Sequence, residues 1–168
     1  MREYLRVLER YGSYLAKKID EGKMFKVYDS DTLPSEETYD VLIDNSGNSK
    51  DIMVSLIRVD SSKSIDIDIL KDVTVTNNGS ALTVQPFVVG DSCTTETKVY
   101  KNPTYSGGTV IDGGLVSGNT GVRAIGGEEE LFLVNKIRAG QKVVVKLTNL
   151  DSNNDALIKV KIVFYEVD

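Results

Sequence analysis

Beyond a turn-rich bridge, Asp29-Ser-Asp-Thr-Leu-Pro34, the chain alternates apolar and polar residues with a period of two as far as its C-terminus. A period of two suits a strand with one buried and one wet face, and it does not suit a helix. The clearest case is Ser64-Ile-Asp-Ile-Asp-Ile-Leu70, where Ile65, Ile67 and Ile69 take one face and Asp66 and Asp68 the other. Lys142–Leu150 repeats the logic with Val143, Val145 and Leu147 inward and Lys146 and Thr148 outward. Leu157–Val167 does so with Ile158, Val160, Ile162 and Phe164 opposite Lys159 and Lys161.

Further strands are expected at Met24–Tyr28, Thr38–Asp44, Asp51–Val59, Asp72–Thr76, Ala81–Val89, Thr94–Tyr100 and Leu131–Ile137. Turn chemistry separates them at Asn45-Ser-Gly-Asn-Ser49, Asn77-Asn-Gly79, Arg138-Ala-Gly140 and Asp151-Ser-Asn-Asn-Asp155. Pro86 places Ala81–Val89 at a sheet edge or bends it, because proline cannot donate to a ladder. Between Lys101 and Glu130 the glycines of Ser106-Gly-Gly-Thr109, Asp112-Gly-Gly114, Ser117-Gly-Asn-Thr-Gly121 and Gly126-Gly127 predict a long surface loop or a contact arm.

Residues 1–23 differ from this body. Tyr4, Leu8, Tyr11 and Leu15 recur at helical spacing, flanked by Leu5 and Ile19, opposite a charged face. Gly22 stands where a helix C-cap glycine belongs, and Lys17 and Lys18 lie in the last turns, where cations suit the helix dipole. The segment carries a net charge of +2 and leaves −7 for the remainder. Gly12 inside it costs about 1 kcal/mol relative to alanine, and the stripe is too short to stand alone as a coiled coil. It therefore packs on the body or on a neighbouring subunit, and Tyr4, Leu5, Leu8, Tyr11, Leu15 and Ile19 are its candidate contact residues. The expected fold is mainly β: an antiparallel β-sandwich, jelly-roll or Greek-key like, over residues 24–168, with one N-terminal α-helix as anchor or oligomerisation element over residues 1–23.

Composition then narrows function. The 168 residues contain no histidine, which removes Ser-His-Asp and Cys-His relays and every His-ligated metal site. A single cysteine, Cys93, permits no internal disulfide and has no histidine to activate it. A net charge of −5 argues against nucleic acid as a partner. No run approaches the roughly 20 apolar residues of a membrane span, so no membrane partner is expected. The glycine-rich stretch lacks the spacing of a phosphate loop and the following helix that such a loop needs. Asp66, Asp68 and Asp72 resemble a Ca²⁺ cluster, yet an alternating strand puts acids outward merely for solubility and edge protection, which is the preferred reading. Glu128-Glu-Glu130 raises a glycosidase pair, but adjacent acids in a turn read as a solvated cluster. Neither an enzyme nor a cofactor is expected.

Four segments form a recognisable succession: Asn77-Asn-Gly-Ser-Ala-Leu-Thr-Val84, Val99-Tyr-Lys-Asn-Pro-Thr-Tyr-Ser-Gly-Gly-Thr109, Lys136-Ile-Arg-Ala-Gly-Gln-Lys-Val-Val-Val-Lys-Leu-Thr-Asn149 and Lys161-Ile-Val-Phe-Tyr-Glu166. It resembles the β-sandwich structural proteins of tailed-phage virions, over about residues 72–168. The resemblance implies a capsid decoration or head-fibre subunit without catalytic residues, often trimeric. Its partners would be further copies of itself and a major capsid or other virion protein, and its place the virion, assembled in the host cytoplasm. The alternative is a carbohydrate-binding or cell-adhesion sandwich whose end loops hold a ligand, with Tyr100 and Tyr105 as candidates.

Overall fold

The computed structural model describes residues 12–117, 122–125 and 135–167, with residues 122–125 and 135 described by their backbone alone. Residues 12–20 form helix α1, which ends at Gly22 in the left-handed region (φ 66°). Tyr4, Leu5, Leu8 and Tyr11 lie outside the described residues.

The body is an antiparallel β-sandwich. Its strands are β1 (Met24–Leu33), β2 (Thr38–Asp44), β3 (Asp51–Ser61), β4 (Ile65–Asn77), β5 (Ser80–Leu82) and β6 (Gln85–Pro86). They continue as β7 (Lys98–Lys101), β8 (Thr104–Val116), β9 (Val122–Ile125), β10 (Asn135–Ile137), β11 (Lys142–Asn149) and β12 (Ala156–Val167). One sheet, A, runs β10-β3-β12-β1-β6, with β9 also on β3; the other, B, runs β5-β7-β2-β11-β4-β8. Strands β1 to β4 alternate between the sheets, and β11 and β12 insert between them, which is jelly-roll wrapping.

Between the sheets lies one apolar core. Ile65, Ile67 and Ile69 face it as the alternation predicts, as do Val143, Val145 and Leu147 from β11 and Ile158, Val160, Ile162 and Phe164 from β12. Phe25 and Phe164 meet at its centre, ring centroids 5.7 Å apart. Two buried asparagines fix the turns at its ends. Asn45 Nδ2 donates to the carbonyls of Lys50, Ile137 and Arg138, and Asn149 Nδ2 to those of Leu33, Pro34 and Asn154. Each amide satisfies backbone oxygens that a buried turn would otherwise leave unpaired.

Several elements depart from the expectation. The bridge at Asp29–Leu33 is strand, because β1 continues its ladder with β12 as far as Leu33↔Ala156. The two strands expected on either side of Lys71 are one, β4, turned at Asp72 (φ 57°). Ala81–Val89 is reduced to the short β5 and β6, and Pro86 does lie in an edge strand. Of Thr94–Tyr100 only the residues from Lys98 are strand, which runs on to Lys101, and of Leu131–Ile137 the residues from Asn135 are, residues 131–134 lying outside the described set. The largest correction concerns the glycine-rich stretch: Thr104–Val116 is not a loop but the 13-residue strand β8, paired along β4. Gly113 explains part of this, since a Cβ there would come within 2.5 Å of the Ile67 carbonyl oxygen on β4. Glycine at that position lets two backbones lie closer than side chains would permit.

Pairing between β4 and β11 ends at Lys71, whereas pairing between β4 and β8 continues to Asn77. The chain next enters sheet B at β5, beyond β7 and on the opposite edge. The far half of the β4–β8 ribbon must therefore cross the outer face of sheet B. Leu42 and Val144, which alternate with the core-facing Val41, Ile43, Val143 and Val145 and so point outward, are 0% exposed beneath it.

Candidate functional site

One corner of the sandwich holds a polar groove of about 760 Å³, between the turn at residues 46–50, residues 94–96 and the ends of β2, β7 and β12. Its floor is Glu166, buried in the last turn of β12. The Glu166 carboxylate accepts from Thr95 Oγ1 at 2.7 Å and Asn48 Nδ2 at 3.4 Å through Oε1, and from Lys50 Nζ at 3.2 Å through Oε2. Asn48 also donates to Thr97 Oγ1 at 3.0 Å, and the Thr97 hydroxyl donates to Asn45 Oδ1 at 2.7 Å. The rim carries Asp44, with Lys142 Nζ at 2.8 Å and Ser46 Oγ at 2.5 Å. Burial alone would raise the Asp44 pKa, but these two donors hold it below the ordinary carboxylate value.

Asp44, Asn45, Asn48, Lys50, Thr95, Thr97 and Glu166 already have side-chain partners within the chain. The corner joins three separate stretches of sequence, so its first role is to pin them. What it offers outward is the hydroxyls of Ser46, Ser49 and Thr94, with the ring of Tyr100 on the wall. Polar groups around one aromatic face suit reversible binding of a hydroxylated ligand.

The other sequence-derived candidates fall in different places. Tyr105 does not share the groove: its phenol lies beside the carboxylate of Asp40 on β2, and burial first, with Asp40 and the charge of Asp68, pushes it up to about 12. Asp40 itself is raised, by burial first, with Lys146 and Tyr105 offsetting part of the effect, and its buried Oδ1 has no hydrogen-bond partner among the described residues. Leu15 and Ile19 pack on the outer face of sheet A, against Met24, Val163 and Tyr165, and Tyr14 meets the Tyr165 ring edge-on at 5.7 Å. Cys93 packs against the core, beneath Gly22. Among the described residues no group of His, Cys, Asp or Glu is arranged to hold a metal, Asp66, Asp68 and Asp72 included. Glu128, Glu129 and Glu130 lie outside the described residues.

The buried polar corner and the covered face of sheet B were both missed from sequence. For the face a signal existed: Val41-Leu-Ile43 and Val143-Val-Val145 are continuous apolar runs, and a strand wet on one side needs only every second residue apolar. For the corner no local signal existed, because Asn48, Thr95 and Glu166 meet only through the fold.

No family model matches the chain, and no curated protein matches it. Among solved structures it is similar to the Yersinia pseudotuberculosis-derived mitogen, at 8% sequence identity and a TM-score of 0.35, with 85% of this chain and 87% of that chain covered. Overlap that loose carries no argument about function.

Proposed function

We propose that the protein is a non-enzymatic virion structural protein, a capsid decoration or head-fibre subunit that acts through protein–protein contacts. The observation that supports this reading is where polarity and apolarity lie. Buried charged and amide groups are tied to one another, as at Glu166, while Val89, Val110, Ile111 and Leu157 stand exposed. Exposed apolar side chains of this kind are available for contact with a partner surface. Immunogold labelling of particles released from cells that carry the gene tests it. Label on the particles is expected, and label confined to cell debris would refute the assignment.

A second reading, a carbohydrate-binding or cell-adhesion module, is favoured by one observation, the position of Tyr100 on the wall of the polar groove. It predicts binding on an array of neutral glycans that is lost with Tyr100→Ala and kept with Tyr105→Ala. Equal binding by both variants and the parent chain would sink it.

A further inference from the structure

We infer that the exposed part of the outer face of sheet A binds an acidic polysaccharide, with Tyr28 as the stacking platform and Arg58, Lys159 and Lys161 as the anion-binding groups. Tyr28, Arg58, Lys159 and Lys161 alternate with the core-facing Val27, Ile57, Val59, Val160 and Ile162, so all four point outward. Tyr28 pairs with Lys161, and Lys161 with Arg58, in one row across the three strands. The next row on the same face is Ser30, Lys159 and Asp60. Strands lie about 4.8 Å apart and same-face neighbours along a strand about 6.5 Å apart, so the two rows form one patch. Tyr28 is 59% exposed, and Ser30, Thr32, Arg58 and Lys159 are exposed around it.

The patch runs against the charge of the chain. Residues after Lys23 carry −7, yet this face sets Arg58, Lys159 and Lys161 against Asp60 alone. Elsewhere lysines are held by carboxylates, as Lys50 is by Glu166, Lys101 by Asp29 and Asp31, and Lys142 by Asp44. Among the described residues Lys159 and Lys161 form no ion pair, and Arg58 uses only its Nε on Asp60, at 3.1 Å. Lys161 and Arg58 are also direct cross-strand neighbours, and like charges so placed repel. An anion seated between them relieves that repulsion.

The neighbours of the cations select the occupant. An exposed tyrosine ring stacks on the apolar face of a sugar, and the Ser30 and Thr32 hydroxyls offer hydrogen bonds beside it. The Arg58 fork suits a carboxylate or sulfate substituent. A nucleic-acid strand carries a charge on every nucleotide and needs a longer track of cations than this acidic chain provides. A peptide seeks a sheet edge or a groove, and this is the middle of a sheet face. The inference is independent of both functional readings above: Tyr28 belongs to sheet A and Tyr100 to sheet B, so Tyr28→Ala leaves any neutral-glycan binding through Tyr100 in place.

The test is biolayer interferometry with the full chain, Tyr28→Ala and Lys159→Gln/Lys161→Gln. The probes are a galacturonic-acid oligomer and a heparin oligomer, which separate carboxylate from sulfate recognition, beside an oligo(dT) and phosphatidylserine vesicles. The full chain should bind at least one of the two acidic oligomers, and each variant should bind it about tenfold more weakly. No binding to either oligomer overturns the proposal, as does binding that Tyr28→Ala leaves unchanged, which would be charge attraction alone. Binding to oligo(dT) or to the vesicles that is as tight as to the oligomers overturns it too. Far-UV circular dichroism checks that the variants keep their strands, and a double variant that loses them is replaced by Lys159→Gln alone, at an exposed position, with the same outcomes.

Discussion

Both sheets carry apolar residues on their outer faces, and the chain covers the two faces differently. On sheet A, helix α1 lays Leu15 and Ile19 over Met24, Val163 and Tyr165, and the rest of that face, including Tyr28, Lys159 and Leu157, stays exposed. On sheet B the cover is the far half of the β4–β8 ribbon, whose near half is part of the sheet it covers. A helix closes its own backbone hydrogen bonds, so losing its contacts exposes a patch without breaking a ladder. The ribbon cannot lift without disturbing the strand that pairs with β11. One cover is an attachment, the other is integral to the fold, and their energetics should differ accordingly.

The sharpest way to break this comparison is to hollow both faces. Leu42→Ala, beneath the ribbon, should destabilise by about 2–5 kcal/mol, the range for truncating a fully buried leucine. Leu15→Ala on the helix should cost about 1 kcal/mol, because Leu15 is only half-buried. Urea denaturation followed by circular dichroism measures both. Equal losses would mean that the two covers are energetically equivalent.

A smaller effect is expected where the ribbon is tethered by one polar contact. Tyr105→Phe removes the hydroxyl from Asp40 and should lower stability by about 1 kcal/mol in the same denaturation experiment, without altering the mass in solution. No loss would show that apolar burial alone holds the ribbon down.

The smallest effect is a pH dependence. Burial raises the Asp40 pKa above its ordinary 3.8, so the folded chain binds this proton more tightly than the unfolded chain does. The contribution is complete below the unfolded value and is lost as pH rises through the folded one. Asp40→Asn keeps an acceptor for Tyr105 and carries no charge. Its melting temperature should exceed the parent's at neutral pH, and the gap should close toward acid. A gap independent of pH would assign the gain to something other than this carboxylate.

The contrast also marks what could be read in advance. Helix α1, its glycine stop and the core rows of β4, β11 and β12 follow from periodicity, which registers any element that is apolar on one side only. The ribbon escaped because Ser106, Gly107, Gly108, Gly113 and Gly114 have little strand propensity of their own. β8 is a strand because β4 pairs with it, and that partner lies tens of residues away. The groove was half legible: Tyr100 was singled out as an aromatic in a loop region, but Tyr105, five residues on, was grouped with it although it reaches a different strand. No spacing rule distinguishes two tyrosines on either side of a strand boundary at Asn102-Pro103.

The place of β12 bears on how the chain is made. It lies between β1 and β3, as β11 lies between β2 and β4, so the two latest strands of the sandwich occupy the middle of its sheets. On the ribosome, β1 to β4 can pair on one side with β6, β7, β9, β10 and β8, but each lacks its other neighbour until residues 142–167 emerge, and such distant pairings form slowly. Until then the isoleucines of β4 lack the β11 half of their ladder and the facing sheet lacks β12, an interval in which holding chaperones would decide the yield of folded protein.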